Sequence, residues 1–149
     1  MNNPEVSVIM LTYNREAFVA RAIESVLCQT LKDFEFIIVD NGSTDQSATI
    51  AQAYEARDPR VHSFSIPKSS IGTGRNYGAA RSTGGFITFL DDDDWMEPDM
   101  LEFLLKLAKK HQAEISLCGS YKVVDGTVLP NCVFEEELVM EPAEAVVTL

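Results

Sequence analysis

The sequence is short of basic residues, histidine and cysteine, and each shortage narrows what it can do. Twelve lysines and arginines face 23 aspartates and glutamates, for a net charge of −11. That balance argues against nucleic acid or an anionic membrane as the main partner. It leaves an anionic small ligand open, because a bound divalent ion inverts the local field. The three cysteines, Cys28, Cys118 and Cys132, are widely separated. They exclude a disulfide framework or a zinc site and read as buried free thiols in a reducing compartment. His62 and His111 are isolated and lack metal-ligand spacing. No stretch approaches 18 apolar residues, so no membrane span is expected. The first residues, Met1 to Glu5, have no basic region and no apolar leader-like run.

Familiar ligand loops are missing as well. Gly72-Thr-Gly74 lacks the third glycine of the dinucleotide fingerprint and does not follow the first strand. There is no P-loop lysine pattern. Counting from Asp91 or Asp92 does not supply the glycine and glutamate that an EF-hand loop needs. Four consecutive aspartates do not face each other across a bond, which disfavours a two-carboxylate hydrolase.

What is present is an ordinary globular composition, 46% hydrophobic over 149 residues. That length suits one domain with a real core. Val6 to Leu11 is a nearly continuous apolar run, as expected of a strand covered on both faces. A helical stripe follows: Phe18, Val19, Ala22, Ile23, Val26, Leu27 and Leu31. Phe34 to Val39 is a second buried strand, ending at Asp40. Asn41-Gly42 supplies a turn, and Ser43 with Gln46 predicts a capping box for a helix carrying Ile50, Ala51 and Tyr54. Val61 to Ile66 alternates as a third strand. Ile71 to Gly84 is punctuated by glycine around a short helix with a small-residue face. Phe86 to Leu90 is a fourth strand. Pro98 opens a helix with the stripe Met100, Leu101, Leu104, Leu105 and Ala108. Ile115 to Val124 is extended, and Asp125-Gly126 predicts a hairpin into Thr127-Val128-Leu129. The alternation implies an α/β fold with a mostly parallel sheet flanked by helices. A helical segment, Ala143 to Leu149, stops without a cap, and the expectation is that the chain is the front part of a longer protein.

The fourth strand runs straight into four carboxylates, Asp91 to Asp94. A like-charged pair at 4 Å costs roughly 1 kcal/mol in water and roughly 4 at an effective dielectric near 20. The end of a buried strand tolerates that only with a cation or donors close by. In open α/β sheets the ligand crevice lies at the carboxyl ends of the strands. The plainer alternative is an acidic turn that caps the next helix. Two other strand ends converge there, at Thr12-Tyr13 and at Asp40. Tyr13 offers a ring for stacking or for rim packing. Asp40 can accept from a base edge or cap the helix after it. Arg75 can contact a phosphate or form a surface ion pair.

Four segments resemble family 2 glycosyltransferases: Ser7-Val-Ile-Met-Leu-Thr-Tyr-Asn14; Phe36-Ile-Ile-Val-Asp-Asn-Gly-Ser-Thr-Asp45; Gly72-Thr-Gly-Arg-Asn76 with Gly78; and Gly85-Phe-Ile-Thr-Phe-Leu-Asp-Asp-Asp-Asp94 with Pro98. The likeness covers residues 5 to 125 in order and spacing. It implies a Rossmann-like GT-A domain over residues 1–149, with residues 126–149 beginning the acceptor side and the fold truncated at its C-terminal end. It implies inverting transfer of a sugar from a nucleotide donor, most simply UDP-linked, to a saccharide or lipid-linked acceptor in cytoplasmic polysaccharide biosynthesis, with the full-length protein at the membrane periphery. By resemblance, Thr12, Tyr13, Asp40 and Arg75 bind the nucleotide, and Asp91 to Asp94 hold the DXD motif. Counting back from Pro98, Asp92 approaches the ribose and Asp93 binds Mn²⁺ or Mg²⁺, with the register open by one and Asp91 beside them. In the family the general base comes from a later segment. Glu135 to Glu137 carry no motif, so the base is expected past Leu149 and the chain alone is expected to be inactive. The alternative is a nucleotide-binding or nucleotidyltransferase-like domain without glycosyl transfer. A nucleotidyltransferase would need a glycine- and basic-rich loop where Thr12 to Arg15 stand, and a pure binding module would bind the nucleotide without turnover.

Overall fold

The computed structural model describes residues 3–140. Four strands, β1 (Val6–Thr12), β2 (Phe34–Asp40), β3 (Val61–Ser65) and β4 (Phe86–Asp91), form a parallel sheet in the order β3-β2-β1-β4. The helices α1 (Val19–Leu27), α2 (Ser47–Glu55) and α3 (Ile71–Ala79) connect them, and α4 (Met100–His111) follows β4. β5 (Ser120–Val124) and β6 (Thr127–Cys132) pair as an antiparallel hairpin. The predicted turn is there: Asp125 and Gly126 have φ of 50° and 76°, the left-handed pair that a tight hairpin turn requires. The chain divides into two compact units at Glu102/Phe103. The parallel sheet lies in the first and the hairpin in the second.

The apolar runs explain the sheet. β2 is buried along its whole length and β1 at all positions but one. Both are covered on two faces, hence the absence of alternation in their sequence. On α1 the predicted stripe is real for Val19, Ala22, Ile23 and Val26, all at 0% exposure. Burying such a side chain contributes about 1.5–3 kcal/mol. Two glycines set the depth of α3 on the sheet. A Cβ at Gly74 would stand 2.3 Å from Leu11 Cδ1, and one at Gly78 would stand 2.5 Å from Ile9 Cγ2. The glycine punctuation is therefore close helix–sheet packing, with Ile9, Ile37 and Val39 as the core beneath it.

Three expectations are corrected. The Ser43–Gln46 capping box does not form: α2 starts at Ser47, and Gln46 makes no side-chain cap. Ser43 Oγ instead accepts from the Asn14 N–H at 3.0 Å, and Asp45 accepts from the Ser47 N–H at 2.9 Å. A neighbouring loop competed for the same hydroxyl. The cysteines are free but not buried: Cys28 and Cys132 are exposed and Cys118 is half-buried, Cys28 because α1 ends at Leu27 and the apolar stripe ends with it. Phe18 is exposed for the matching reason, standing just before the first helical turn. The predicted helix of Ala143 to Leu149 lies outside the described residues. No helix among the described residues is long and apolar enough to cross a membrane.

Candidate functional site

Strand order reverses at β1, which has β2 on one side and β4 on the other. A crevice opens beyond the carboxyl ends of the strands at such a reversal. Register places Thr12 opposite Asp40 and Leu11 opposite Asp91. The sheet thus delivers three of the predicted residues to one rim, and the acidic turn continues from it.

The four aspartates have four different surroundings. Asp91 is exposed and pairs with Arg75 at 2.5 Å. Asp92 turns inward to 9% exposure and accepts from the Tyr13 N–H at 3.3 Å. Asp93 has a half-exposed side chain facing Arg15 at 3.6 Å, while its carbonyl accepts from Arg21 at 2.8 Å. The Asp94 N–H closes the turn onto the Asp91 carbonyl at 3.1 Å. Burial pushes the Asp92 carboxyl above the ordinary aspartate range. The Thr12 hydroxyl, the Tyr13 N–H and Arg15 offset this in part, and the Asp93 charge adds to the rise. Asp94 is raised as well, by burial first and then by the charges of Asp93 and Asp91. The four carboxylates of the turn face three arginines, Arg15, Arg21 and Arg75. Thr12 is 1% exposed. Its hydroxyl lies near enough to Asp92 to favour the ionised form, yet among the described residues it has no hydrogen bond of normal geometry. It is a donor left over at the rim.

Asp40 is 2% exposed, and the Ser43 N–H approaches its carboxylate at 3.2 and 3.4 Å. It therefore secures the β2 turn at the rim. Asn41 bolts that turn to the segment before α3, donating to the Ser69 carbonyl at 3.0 Å and accepting from the Ser69 N–H at 2.9 Å. Gly42 has φ of 78°, and a Cβ there would meet the Lys68 backbone N at 2.8 Å. Lys68 stands next to this bolt with its ammonium 2.8 Å from the centre of the Tyr13 ring. Tyr13 is 41% exposed, but a base stacking on its ring would share it with that cation.

Sequence reasoning passed over Asn14, Arg15 and Lys68. Asn14 adopts φ of 53°, which Asn tolerates better than most residues. Its Oδ1 accepts from the Thr44 N–H at 2.8 Å. The Arg15 N–H donates to Ser47 Oγ at 2.8 Å, and Glu16 and Gln46 tie the same two loops together. Arg15 directly follows the Thr12-Tyr13-Asn14 segment, and that adjacency was its signal. Lys68 carried none, because its position depends on the fold of the loop before α3. Among the late carboxylates, Glu137 is bonded to Lys110 at 2.7 Å and to His111. Those two partners hold its carboxyl below the usual range.

Comparison with known proteins places the chain in a family and a fold. The family profile described as Glycosyl transferase family 2 matches residues 7–131. A Bacillus subtilis protein named as the uncharacterized glycosyltransferase EpsJ is 38% identical over 119 residues, covering 80% of this chain and 35% of the relative. The chondroitin synthase of Escherichia coli is 38% identical over 118 residues, covering 79% of this chain and 17% of that protein. The chain thus spans much less than two thirds of these relatives. Among solved structures, Staphylococcus aureus TarS 1–349 in complex with UDP-GlcNAc is 26% identical, with a TM-score of 0.73 over 89% of this chain and 38% of that one.

Proposed function

Because this chain belongs to glycosyl transferase family 2, we propose that residues 7–131 form the nucleotide-sugar-binding part of an inverting glycosyltransferase. The donor is a UDP-sugar, and the acceptor is a saccharide or lipid-linked saccharide in cell-surface polysaccharide synthesis. The donor class is supported by the UDP-GlcNAc in the related TarS structure, and the polymer class by the likeness to a chondroitin synthase. The reaction would run in the cytoplasm, at the membrane surface when the acceptor is lipid-linked.

One observation carries the reading: Thr12, Asp40 and Asp91 share one rim at the sheet's reversal point, and the acidic turn follows directly. The roles follow from the surroundings. Tyr13 offers a ring to the base once Lys68 yields part of it. Asp40 accepts from the base edge. Asp92, buried and anchored to Tyr13, presents an oxygen to the ribose. Arg75 holds Asp91 and adds positive charge beside the phosphates. Asp93, half-exposed, is the metal ligand in the DXD motif. The donor set fits Mn²⁺ or Mg²⁺ shared with phosphate oxygens and water, which takes only one or two protein carboxylates. Among the described residues no three such side chains gather into a protein-only cage. When bound, the ion neutralises the departing diphosphate as a Lewis acid. The nucleotidyltransferase-like alternative is not favoured, since Tyr13 to Arg15 form a loop laced to the β2 turn rather than a glycine-rich phosphate cradle.

Calorimetry of this chain with UDP, in Mn²⁺ and in EDTA, tests the reading. Binding that weakens sharply in EDTA is expected. Equal binding in both would remove the metal from the account, and no binding in either would remove the nucleotide.

A further inference from the structure

The acidic turn is already partly neutralised by the protein itself. Three arginines face it: Arg75 on the Asp91 carboxylate, Arg21 on the Asp93 carbonyl, and Arg15 on Asp92 and Asp93 together. Of these three, Arg15 is the one that spans two carboxylates. Its Nε lies 3.6 Å from Asp92 Oδ1, and a terminal nitrogen lies 3.6 Å from Asp93 Oδ2. Charge-assisted hydrogen bonds of full strength are about 2.7–2.9 Å long. Arg75 holds Asp91 at 2.5 Å, whereas Arg15 holds its pair loosely. Its backbone is the opposite of loose. The N–H donates to Ser47 Oγ at 2.8 Å, and the carbonyl accepts from the N–H groups of Phe18 and Val19, both at 2.9 Å. Ser47 is fully buried. The geometry is that of a fixed backbone carrying a loosely held cation.

We propose that Arg15 is a resident counter-cation that occupies the charge position of the divalent ion until a nucleotide diphosphate arrives. The inference rests on the metal reading above and adds a coupling to it. A free divalent ion must compete with the guanidinium for Asp93, so metal alone binds weakly. A diphosphate gives the displaced guanidinium a better partner, because planar arginine pairs with phosphate through two parallel N–H donors. Metal and nucleotide then bind as a unit. Each raises the affinity of the other, as linkage requires.

The test is a Mn²⁺ titration followed by the electron paramagnetic resonance signal of the free ion, with and without UDP. It compares the unaltered chain, Arg15→Gln and Arg15→Lys. The unaltered chain should bind Mn²⁺ weakly alone and more tightly with UDP. Arg15→Gln should bind Mn²⁺ alone about tenfold more tightly, and the gain from UDP should shrink by a similar factor, within the usual range of coupling energies. Arg15→Lys keeps the charge and should keep the weak binding. Circular dichroism establishes that each variant is folded, as expected for a side chain 46% exposed. Unchanged or weaker Mn²⁺ binding by Arg15→Gln overturns the proposal. Equal tightening in both variants also overturns it, because charge would not be the cause. If the unaltered chain binds UDP but never Mn²⁺, the metal reading itself fails and the coupling falls with it.

Discussion

The backbone N–H of Tyr13 donates to the Asp92 carboxylate at 3.3 Å, across 79 positions of sequence. This bond fastens the end of the first strand to the acidic turn. It separates the aspartates into one turned inward and others facing solvent. Roles within the turn should therefore be unequal.

Asp93→Ala should abolish the metal dependence of UDP binding, whereas Asp91→Ala should weaken binding without removing that dependence. Asp91 is already engaged by Arg75, while the Asp93 carboxylate is only loosely approached by Arg15. Calorimetry of each variant in Mn²⁺ and in EDTA separates them. Persistence of the metal effect in Asp93→Ala, with its loss in Asp91→Ala, would move the ligand assignment.

Asp40→Asn should weaken UDP binding while leaving the fold intact. The amide oxygen can still accept from Ser43, so the β2 turn survives. What goes is the charged acceptor proposed for the base, typically worth about 1.5–3 kcal/mol. Circular dichroism beside a UDP titration reads both. An unchanged dissociation constant would leave Asp40 with the turn as its only task.

Glu35 should make stability fall in acid. It is buried at the opposite end of the sheet, accepting from Ser7 Oγ at 2.6 Å, from the Thr83 N–H at 2.6 Å and from the Gly84 N–H at 3.2 Å. Burial pushes its carboxyl up, but the bonds from Ser7, Thr83 and Gly84 together pull it below the ordinary value. The folded pKa is thus lower than the unfolded one, about 4.3. The stabilisation is fully present above that unfolded value and is lost as pH falls through the folded one. Urea unfolding of the unaltered chain should weaken over that range, and Glu35→Gln should flatten the slope. Glu35→Ala should cost about 1–3 kcal/mol at neutral pH by stranding buried donors. Parallel pH profiles for the unaltered chain and Glu35→Gln would exclude the linkage.

Gly78→Ala should destabilise and Gly72→Ala should not. The added methyl at position 78 meets Ile9 in the core, and overpacking of that kind costs about 1–3 kcal/mol. The helix-propensity gain of about 1 kcal/mol only partly offsets it. At Gly72 the nearest atom is Ser70 Oγ at 4.0 Å, so that variant should gain a few tenths to about 1 kcal/mol. Thermal unfolding of the pair decides whether α3 is as tightly seated as its glycines imply.

The sequence alone determined where the strands are and which residues end them at one rim. Val6 to Leu11 and Phe34 to Val39 are apolar throughout because both faces of their strands are covered, and that is a local property. Asp125-Gly126 announced its hairpin for the same reason, since the left-handed turn is encoded in two adjacent residues. The acidic turn could be placed at a rim because a strand pattern runs directly into it. Tertiary structure decided the division of labour. That Asp92 turns inward, that Arg15 bridges Asp92 and Asp93, that Lys68 lies on the Tyr13 ring and that Ser43 serves Asn14 rather than α2 all depend on segments distant along the chain. Periodicity reports which face of an element is buried. It does not report which of several equivalent donors or cations arrives first at a shared acceptor, because that choice is made only when the loops meet.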